Sequence, residues 1–326
     1  MDGTVILEPT FMCNLACPMC DRSPALRKEA CEMPVGVLSY REVLDRLPGL
    51  PGRVYISGGE PTLWPGLVEL CGTVADRGIE LSVQTNGTRP DVVRALTKAG
   101  VRHFNISVDG PEETHESIRG KGTFGKLLET VSAVSSCRGC ELVTTTVLSD
   151  HNMGSVHRIF SCFRRHGIRP SVMVLELARR FDPDAVASSA ALAGAEPSEV
   201  SVRVGETREF STSLQELELV IRTLQRRARS YGRKIMFFPQ DLAARTGVFH
   251  GYSFRQRARV RCSHRNILRI DPRGNVVPCF TFRKSMGNIL EDPWDLIAVR
   301  SERFWDNLEK ANLAPVCETC FRCTEC

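Results

Sequence analysis

The sequence predicts an α/β fold, a partial (β/α)6 TIM-like barrel followed by a small cysteine-rich domain. Short runs rich in Val, Ile and Leu alternate with helical patterns over the first part of the chain. Several of these runs are apolar on both faces, which is typical of parallel strands covered by helices. Cysteines then concentrate at the end of the chain. We expect the barrel to occupy residues 1–232 and the cysteine-rich domain residues 233–326.

Six successive units of a strand and a helix account for the barrel. The predicted strands are TVILE, RVYIS, IELSVQT, HFNISVD, ELVTTTVL and SVMVLEL. Helical patterns lie near 39–47, 65–77, 89–99, 123–136 and 152–166. Ligands of such barrels bind at the carboxyl ends of the strands, so functional residues are expected just after each strand.

The pattern changes after the sixth strand. An Ala- and Ser-rich stretch within residues 178–212 indicates a loop or a lid, and an amphipathic helix follows near 212–231. Three arginines, Arg226, Arg227 and Arg229, fall at the end of this helix, where they complement its dipole. The run has no interleaved aromatic residues, so a nucleic acid is not expected as a partner.

Composition predicts a cytoplasmic protein without a membrane span. The chain has 326 residues, 42% of them hydrophobic, and a formal charge of +5. It shows neither a secretion signal nor an apolar run long enough to cross a bilayer. The 14 cysteines therefore indicate metal binding or catalysis, because cytosolic thiols are kept reduced and do not form a disulfide framework.

A loop after the first predicted strand carries Cys13, Cys17 and Cys20. Thiolates are soft ligands that select zinc, copper(I) or iron-sulfur clusters. A structural zinc site needs four closed ligands, and the nearby Cys31 is interpreted as a bystander because a proline-containing stretch separates it from the loop. Three cysteines suit a 4Fe-4S cluster that keeps one iron open for another ligand.

The CxxxCxxC spacing at this position resembles that of the radical S-adenosylmethionine (SAM) superfamily. Further motifs follow at the ends of successive predicted strands: ISGGEP, QTNG, SVDGP and TTVLSDHN, with an arginine in HESIRGKGTF. The resemblance implies that the GGE motif receives the SAM amino group and that the arginine pairs with the SAM carboxylate. The implied cofactor-binding residues are Gly58, Gly59, Glu60, Asn86, Ser107, Asp109, Arg119 and Asn152.

The resemblance also implies the chemistry. The cluster would chelate SAM, and an electron from a flavodoxin- or ferredoxin-type donor would cleave it to methionine and a 5′-deoxyadenosyl radical. The radical would abstract hydrogen from a substrate inside a mouth that excludes water. No catalytic residue is predicted, because polar residues such as Glu176 and His151 more often only line such a mouth.

The cysteines near the end of the chain resemble the SPASM/twitch extension of the same superfamily, which binds one or two auxiliary 4Fe-4S clusters. Cys262 and Cys279 flank Gly274, and the sequence closes with CETCFRCTEC. The even spacing of the last group departs from the full SPASM pattern, and six cysteines are too few to ligate two clusters completely. We expect one cluster, held by Cys262, Cys279 and two of the last four cysteines. The predicted auxiliary ligands are Cys262, Cys279, Cys317, Cys320, Cys323 and Cys326.

Alternatives stay open for the cysteines outside the first loop. Because CxxC pairs suit zinc, the stretch from Cys317 to Cys326 also fits a zinc knuckle. The remaining cysteines are interpreted as small buried hydrophobic residues. They are Cys31, Cys71, Cys137, Cys140 and Cys162.

Three functions are compatible with the sequence. The main prediction is a radical SAM enzyme acting on a small molecule such as a sugar, cyclitol or nucleoside. It depends on the start of the chain just ahead of Cys13, which leaves no room for a leader-binding module. The alternative keeps the chemistry but takes a peptide or protein as substrate. The distant alternative is a zinc-stabilised binding module without catalysis.

Overall fold

A computed structural model describes most of the chain. The described residues are 3–20, 40–178, 183–201, 212–238, 242–244, 246–247, 260–311, 314–317 and 323–325. Two predicted auxiliary ligands, Cys320 and Cys326, lie outside these residues. So do Cys31 and parts of the predicted lid segment.

The strands confirm the predicted α/β class and partial barrel. They are β1 (Thr4–Leu7), β2 (Arg53–Ile56), β3 (Glu80–Thr85), β4 (His103–Ser107), β5 (Glu141–Leu148), β6 (Val172–Leu177), β7 (Lys234–Phe238), β8 (Val260–Cys262), β9 (Ile267–Ile270), β10 (Asn275–Val277), β11 (Gly287–Asn288) and β12 (Cys323–Glu325). One sheet has the order β11-β10-β9-β1-β2-β3-β4-β5-β6-β7, and β12 pairs with β8 in a second. Strands β1 to β7 are parallel.

Helices cover the outer face of the parallel strands. They are α1 (Tyr40–Asp45), α2 (Leu67–Asp76), α3 (Pro90–Lys98), α4 (Glu112–Arg119), α5 (Thr123–Ser135), α6 (Ile159–His166), α7 (Pro183–Ala193), α8 (Leu214–Tyr231) and α9 (Trp294–Lys310). The helix expected near 152–166 is α-helical only over its second half, after a 3-10 turn at Val156–Arg158.

The two faces of the strands differ in polarity. On β3, β4 and β6, buried side chains alternate with partly buried ones. On β3 and β4 the partly buried face is polar: Tyr55 donates a 2.8 Å hydrogen bond to Gln84, and Thr145 donates one of 2.7 Å to Asn105. On β6 the same face carries Val172 and Val174, so the expectation of a strand apolar on both faces fits β6 but not β3 or β4.

The strand register brings the carboxyl ends of β1 to β6 to one edge of the sheet, here called the carboxyl edge. Leu7, the last residue of β1, pairs with Ile56 at the end of β2. Ser107 at the end of β4 pairs with Thr145 in β5. The loops that follow these strands therefore meet at this edge, and the opposite edge is called the amino edge.

Two strands extend the barrel beyond the six that the sequence predicts. Strand β7, at residues 234–238, pairs in parallel with β6, although it is short and opens the region assigned to the cysteine-rich domain. Strand β9 pairs in parallel with β1, with Leu7 opposite Ile270. The boundary between residues 232 and 233 remains a prediction, and the hydrogen-bonded sheet runs across it.

The described part of the predicted lid segment is bound to the C-terminal region. The hydroxyl of Ser189, in α7, accepts a 3.0 Å hydrogen bond from the Val316 amide. Farther along, the Ser201 amide donates to the Thr281 carbonyl at 2.7 Å, and a second backbone bond of 2.6 Å joins residues 283 and 199. These contacts fix residues 183–201 against the region after β10.

The amphipathic helix predicted near 212–231 is confirmed as α8. Ser213 and Glu216 form a reciprocal capping box at its start, and Gly232, with φ of 67°, ends it. Leu217, Ile221 and Leu224 lie on its buried face. Within the described residues, no helix combines the length and apolarity needed to cross a bilayer.

Candidate active site

The thiol loop, residues 10–20, follows β1 at the carboxyl edge. Its turn is closed by a 3.2 Å hydrogen bond from the Cys20 amide to the Cys17 carbonyl. Among the described residues, no three Cys, His, Asp or Glu side chains converge on a position for a single metal ion. The donor set nevertheless fits a 4Fe-4S cluster, which the three cysteines would hold, because thiolates are the soft ligands that such clusters select.

Two glycines let the thiol loop pack against the end of β2. The Gly59 amide donates to the Thr10 carbonyl at 2.8 Å, and the Glu60 amide donates to the Met12 carbonyl at 2.7 Å. A Cβ atom at Gly59 would lie 2.1 Å from the Met12 carbonyl oxygen. Gly58 has φ of 126°, a backbone conformation that favours glycine. The glycine pair therefore positions the cysteines by close approach of backbone to backbone.

The Glu60 carboxylate is buried and held by the protein itself. Thr62 donates to Oε1 through its amide at 3.2 Å and its hydroxyl at 2.6 Å, and the Thr85 hydroxyl adds a bond of 2.7 Å. The Asn86 amide donates to Oε2 at 2.6 Å. Burial raises the pKa of Glu60, and these hydrogen bonds oppose the rise. The side chain thus joins the ends of β2 and β3, which the sequence did not predict.

A chain of amides and hydroxyls connects the end of β3 to the thiol loop. Asn86 donates from Nδ2 to Asn14 Oδ1 at 2.9 Å, and Asn14 donates from Nδ2 to the Thr88 hydroxyl at 2.9 Å. The Thr88 hydroxyl in turn donates to Asn86 Oδ1 at 2.7 Å. Because Asn14 follows Cys13 directly, this network restrains the first cluster cysteine.

A buried ion pair joins the end of β4 to the end of α4. Arg119 Nε donates to Asp109 Oδ2 at 2.5 Å, and Asp109 is completely buried. The second oxygen, Oδ1, accepts a 3.3 Å bond from the Val147 amide. No described residue accepts a hydrogen bond from the Nη groups of Arg119, so they are available to the carboxylate that the resemblance assigns to them.

Arg119 also acts on the thiols. Burial raises the pKa of Cys17 to about 11, and the charge of Arg119 opposes that rise. For Arg119 itself, burial acts to lower its pKa, but Asp109 and Cys17 outweigh burial and raise it. The guanidinium therefore stays charged beside the loop and favours the thiolate form that a metal needs.

Two other predicted cofactor-binding residues are buried near this pair. Asn152 donates from Nδ2 to the carbonyls of Asp109 at 3.0 Å and Val147 at 2.8 Å, and its Oδ1 accepts a 2.9 Å bond from the Ser149 amide. Both of its amide hydrogens are thus used to hold loops together. Ser107 is buried at the end of β4. Their contact with SAM remains a prediction.

The predicted auxiliary ligands are only partly described. Cys262 and Cys279 are buried, and the Cys279 sulfur accepts a 3.2 Å hydrogen bond from the Phe282 amide. Pairing of β8 with β12 sets Cys323 opposite Cys262. Cys317 is half-buried at the end of the described segment 314–317. The pairing supports Cys262 and Cys323 as ligands of the same auxiliary cluster. The full ligand set remains a prediction.

The cysteines outside the predicted clusters behave in two ways. Cys71 and Cys162 are buried in the core, as predicted. Cys137 and Cys140 are joined by a disulfide bond, so the interpretation of these two as buried hydrophobic residues is wrong. They lie after α5 and before β5, at the amino edge and away from the thiol loop.

Two family models match the stretches of chain that carry the predicted site residues. The family model of the radical SAM superfamily matches residues 7–162. A second family model, SPASM, an iron-sulfur cluster-binding domain, matches residues 262–324. The first stretch contains the thiol loop, the glycine pair and the buried ion pair. The second contains five of the six predicted auxiliary ligands, all except Cys326, along with the hairpin of β9 and β10.

Curated relatives share about half of this chain. The mycofactocin maturase MftC of Mycobacterium ulcerans is 28% identical over 176 residues, which cover 51% of this chain and 46% of that protein. The AdoMet-dependent heme synthase of Methanosarcina barkeri is 30% identical over 168 residues, 49% of this chain and 46% of the relative. The PqqA peptide cyclase of Ruegeria pomeroyi is 30% identical over 159 residues, which cover 47% of this chain and 42% of that protein. The matched region thus spans less than half the length of each relative.

Solved structures share the fold over nearly the whole chain. The structure of anSMEcpe with bound AdoMet and a Cp18Cys peptide has a TM-score of 0.64 at 16% identity, covering 98% of this chain and 87% of that one. Streptococcus suis SuiB bound to its precursor peptide SuiA has a TM-score of 0.62 at 12% identity, covering 97% of this chain and 70% of SuiB.

Proposed function

This chain belongs to the radical SAM superfamily and carries a SPASM-type iron-sulfur domain, and from that premise we propose that it cleaves SAM reductively and modifies a peptide. The observation that carries the SAM chemistry is the convergence at one sheet edge of three cysteines, the glycine pair beside them and a charged arginine.

The residues have separate tasks in this proposal. Cys13, Cys17 and Cys20 hold the 4Fe-4S cluster, which when bound supplies the electron that cleaves SAM to methionine and a 5′-deoxyadenosyl radical. Arg119 holds the SAM carboxylate through its Nη groups, and Asp109 fixes the guanidinium. Glu60 positions the turn around the glycine pair, so its contribution to SAM binding is the placement of backbone groups.

A peptide substrate is supported better than the expected small molecule. Two of the relatives described above carry names of peptide-modifying enzymes, a maturase and a peptide cyclase. Similarity to the heme synthase supports a small-molecule substrate as the second candidate. The polar inner face of the barrel, with Gln84 and Asn105, offers amide and hydroxyl groups that suit the backbone of a peptide.

The first experiment tests the clusters. After anaerobic reconstitution, we expect about eight irons per chain in the wild type and about four in a triple Cys13/Cys17/Cys20→Ala variant, with loss of 5′-deoxyadenosine formation. About twelve irons in the wild type would indicate two auxiliary clusters. A Cys162→Ala variant, altered in a buried cysteine away from the loop, serves as the control and should keep its iron. Zinc without iron would refute the enzyme function.

A second experiment tests the substrate class. Short peptides encoded beside the gene are incubated with the reconstituted enzyme, SAM and dithionite, and mass spectrometry follows a change in peptide mass that depends on Cys17. Parallel reactions contain iron porphyrins, sugars and nucleosides. Modification of a peptide alone supports the proposal, and modification of a small molecule alone supports the second candidate.

A further inference from the structure

A buried arginine, Arg283, connects the thiol loop with the cysteine-rich region. Its side chain is 8% exposed, and Nη1 donates to Glu8 Oε2 at 2.7 Å. Its guanidinium carbon lies 5.0 Å from the centre of the Phe11 ring. Glu8 directly follows β1, Phe11 lies two residues before Cys13, and Cys279 lies four residues before Arg283. The guanidinium therefore sits at the carboxyl edge, in contact with the thiol loop.

One nitrogen of this guanidinium has no hydrogen-bond partner among the described residues. Nη2 of Arg283 is buried and makes no hydrogen bond within the described structure. A buried N–H group left without an acceptor destabilises a protein, and the cost is greater when the group is charged, so native proteins rarely leave one. An acceptor supplied by a ligand would remove this cost.

The neighbouring acidic groups are already engaged. Glu8 accepts at Oε1 from Arg269 Nη1 at 2.8 Å, in addition to its bond from Arg283. Asp271 accepts at Oδ1 from the amides of Arg273 at 2.8 Å and Asn275 at 2.9 Å, and at Oδ2 from Asn275 Nδ2 at 3.1 Å. Neither carboxylate hydrogen-bonds Nη2, although Asp271 is close enough for the charge of Arg283 to act on its pKa.

The residues around Arg283 indicate which chemical group would accept a hydrogen bond from Nη2. Arginine presents its N–H groups in a planar fork that suits carboxylate or phosphate. Glu8 and Asp271 would repel the double charge of a phosphate more strongly than the single charge of a carboxylate. The Phe11 ring beside the guanidinium suits the methylene groups that carry a side-chain carboxylate. A carboxylate is therefore the better match.

We propose that Nη2 of Arg283 binds a carboxylate of the substrate between the two cluster-binding regions. The inference rests on the proposed function, because it places the substrate at the mouth that the thiol loop lines. The carboxylate belongs to an aspartate or glutamate side chain or to a peptide C-terminus. Both sources present the same group to the guanidinium, and the probes below distinguish them.

Calorimetric titration of the reconstituted, SAM-loaded enzyme tests the proposal. The probes are N-acetyl-aspartate methylamide with a side-chain carboxylate, N-acetyl-alanine with a terminal one, and N-acetyl-asparagine methylamide with neither. We expect at least one acid to bind about tenfold more tightly than the asparagine amide. The stronger acid identifies the source of the carboxylate. Equal binding of all three probes would overturn the proposal.

Matched arginine variants separate binding from folding. Arg283→Gln should abolish the preference for the acid, whereas Arg265→Gln should keep it, since Arg265 pairs at the surface with Asp306 and Glu309. Arg283→Lys retains a charge for Glu8 but loses the planar fork, so it tests the site if the glutamine variant fails to fold. We expect the lysine variant to load iron and to lose the preference at least fivefold; a wild-type preference in it would refute the proposal.

Formation of 5′-deoxyadenosine in the same preparations separates this inference from the proposed function. An enzyme that cleaves SAM and modifies a peptide but binds acid and amide equally would refute the carboxylate site alone. An enzyme that prefers the acid but cleaves no SAM would refute the proposed function and retain the site.

Discussion

The two edges of the barrel sheet contain the same kinds of charged residue in different surroundings. At the carboxyl edge, Asp109 and Arg119 form a pair whose side chains are 0% and 9% exposed. At the amino edge, Arg53 bonds to Glu80 at 2.5 Å and His103 to Glu141 at 2.8 Å, with side chains 35–49% exposed. Short ion pairs are thus present at both edges, and they differ in how far their side chains are buried.

Burial decides what each pair can do. Water and salt screen the amino-edge pairs, which contribute little to stability. The carboxyl-edge charges are held by hydrogen bonds in a medium of low dielectric, where loss of one partner leaves the other uncompensated. Charges at the amino edge can therefore vary freely, whereas Asp109 and Arg119 hold the end of β4 to the end of α4.

Removal of one partner of the buried pair should give the largest effect. Arg119→Ala leaves the Asp109 carboxylate buried without its cation, and we expect the free energy of unfolding to fall by about 3–5 kcal/mol. Denaturation with urea, followed by circular dichroism under anaerobic conditions, measures it. The double variant Asp109→Asn with Arg119→Ala should recover part of the loss. If the single variant loses less than about 1 kcal/mol, the buried pair contributes no more to stability than the exposed pairs of the amino edge, which contradicts the prediction.

The pH dependence of stability should reveal His115, which is buried beside Asp109. Burial lowers the pKa of His115 from 6.5 to about 4. The unfolded chain takes up a proton below pH 6.5 and the folded chain does not, so stability present above 6.5 is lost as pH falls towards 4. The loss should total about 3 kcal/mol.

Denaturation midpoints measured between pH 7 and pH 4 test this expectation. His115→Gln should flatten the profile over that window, because it removes the titrating group. His151→Gln, at an exposed position, is the matched control and should keep the wild-type slope. An unchanged slope in the His115 variant would show that other groups cause the pH dependence.

A methyl group at Gly59 should displace the thiol loop. The added Cβ meets the Met12 carbonyl oxygen at 2.1 Å, and we expect a destabilisation of about 1–3 kcal/mol together with loss of iron from the first cluster. Gly72→Ala is the matched control, because a Cβ at Gly72 in α2 has no atom within 4 Å. Iron analysis and denaturation should show the control unchanged or slightly more stable.

Neutralisation of the amino edge should give the smallest effect. Glu80 contacts Arg53 and, at 3.7 Å, His103, and its side chain is 40% exposed. We expect Glu80→Gln to change the free energy of unfolding by less than about 1 kcal/mol and to leave SAM cleavage unchanged. If Glu80→Gln lowered the free energy of unfolding by more than Arg119→Ala does, the amino edge would contribute more to stability than the carboxyl edge, contrary to the prediction.

The sequence by itself determined the features that local patterns specify. The alternation of apolar runs with amphipathic stretches predicted the parallel barrel, and the spacing of Cys13, Cys17 and Cys20 predicted a cluster loop after the first strand. The spacing of apolar residues predicted the amphipathic helix near 212–231, which the structure shows as α8. The barrel strands and α8 are confirmed because hydrophobic period depends on residues a few positions apart, whereas the three cluster ligands remain a prediction.

Contacts between distant residues were decided by the tertiary structure alone. The fold turns Glu60 towards the Thr85 hydroxyl, 25 residues away, and joins Arg283 to Glu8, 275 residues earlier. It also pairs β7 with β6 and β9 with β1. Short strands and single polar residues carry little periodic signal, and which partners they meet depends on packing of the whole chain, so no local pattern could assign them.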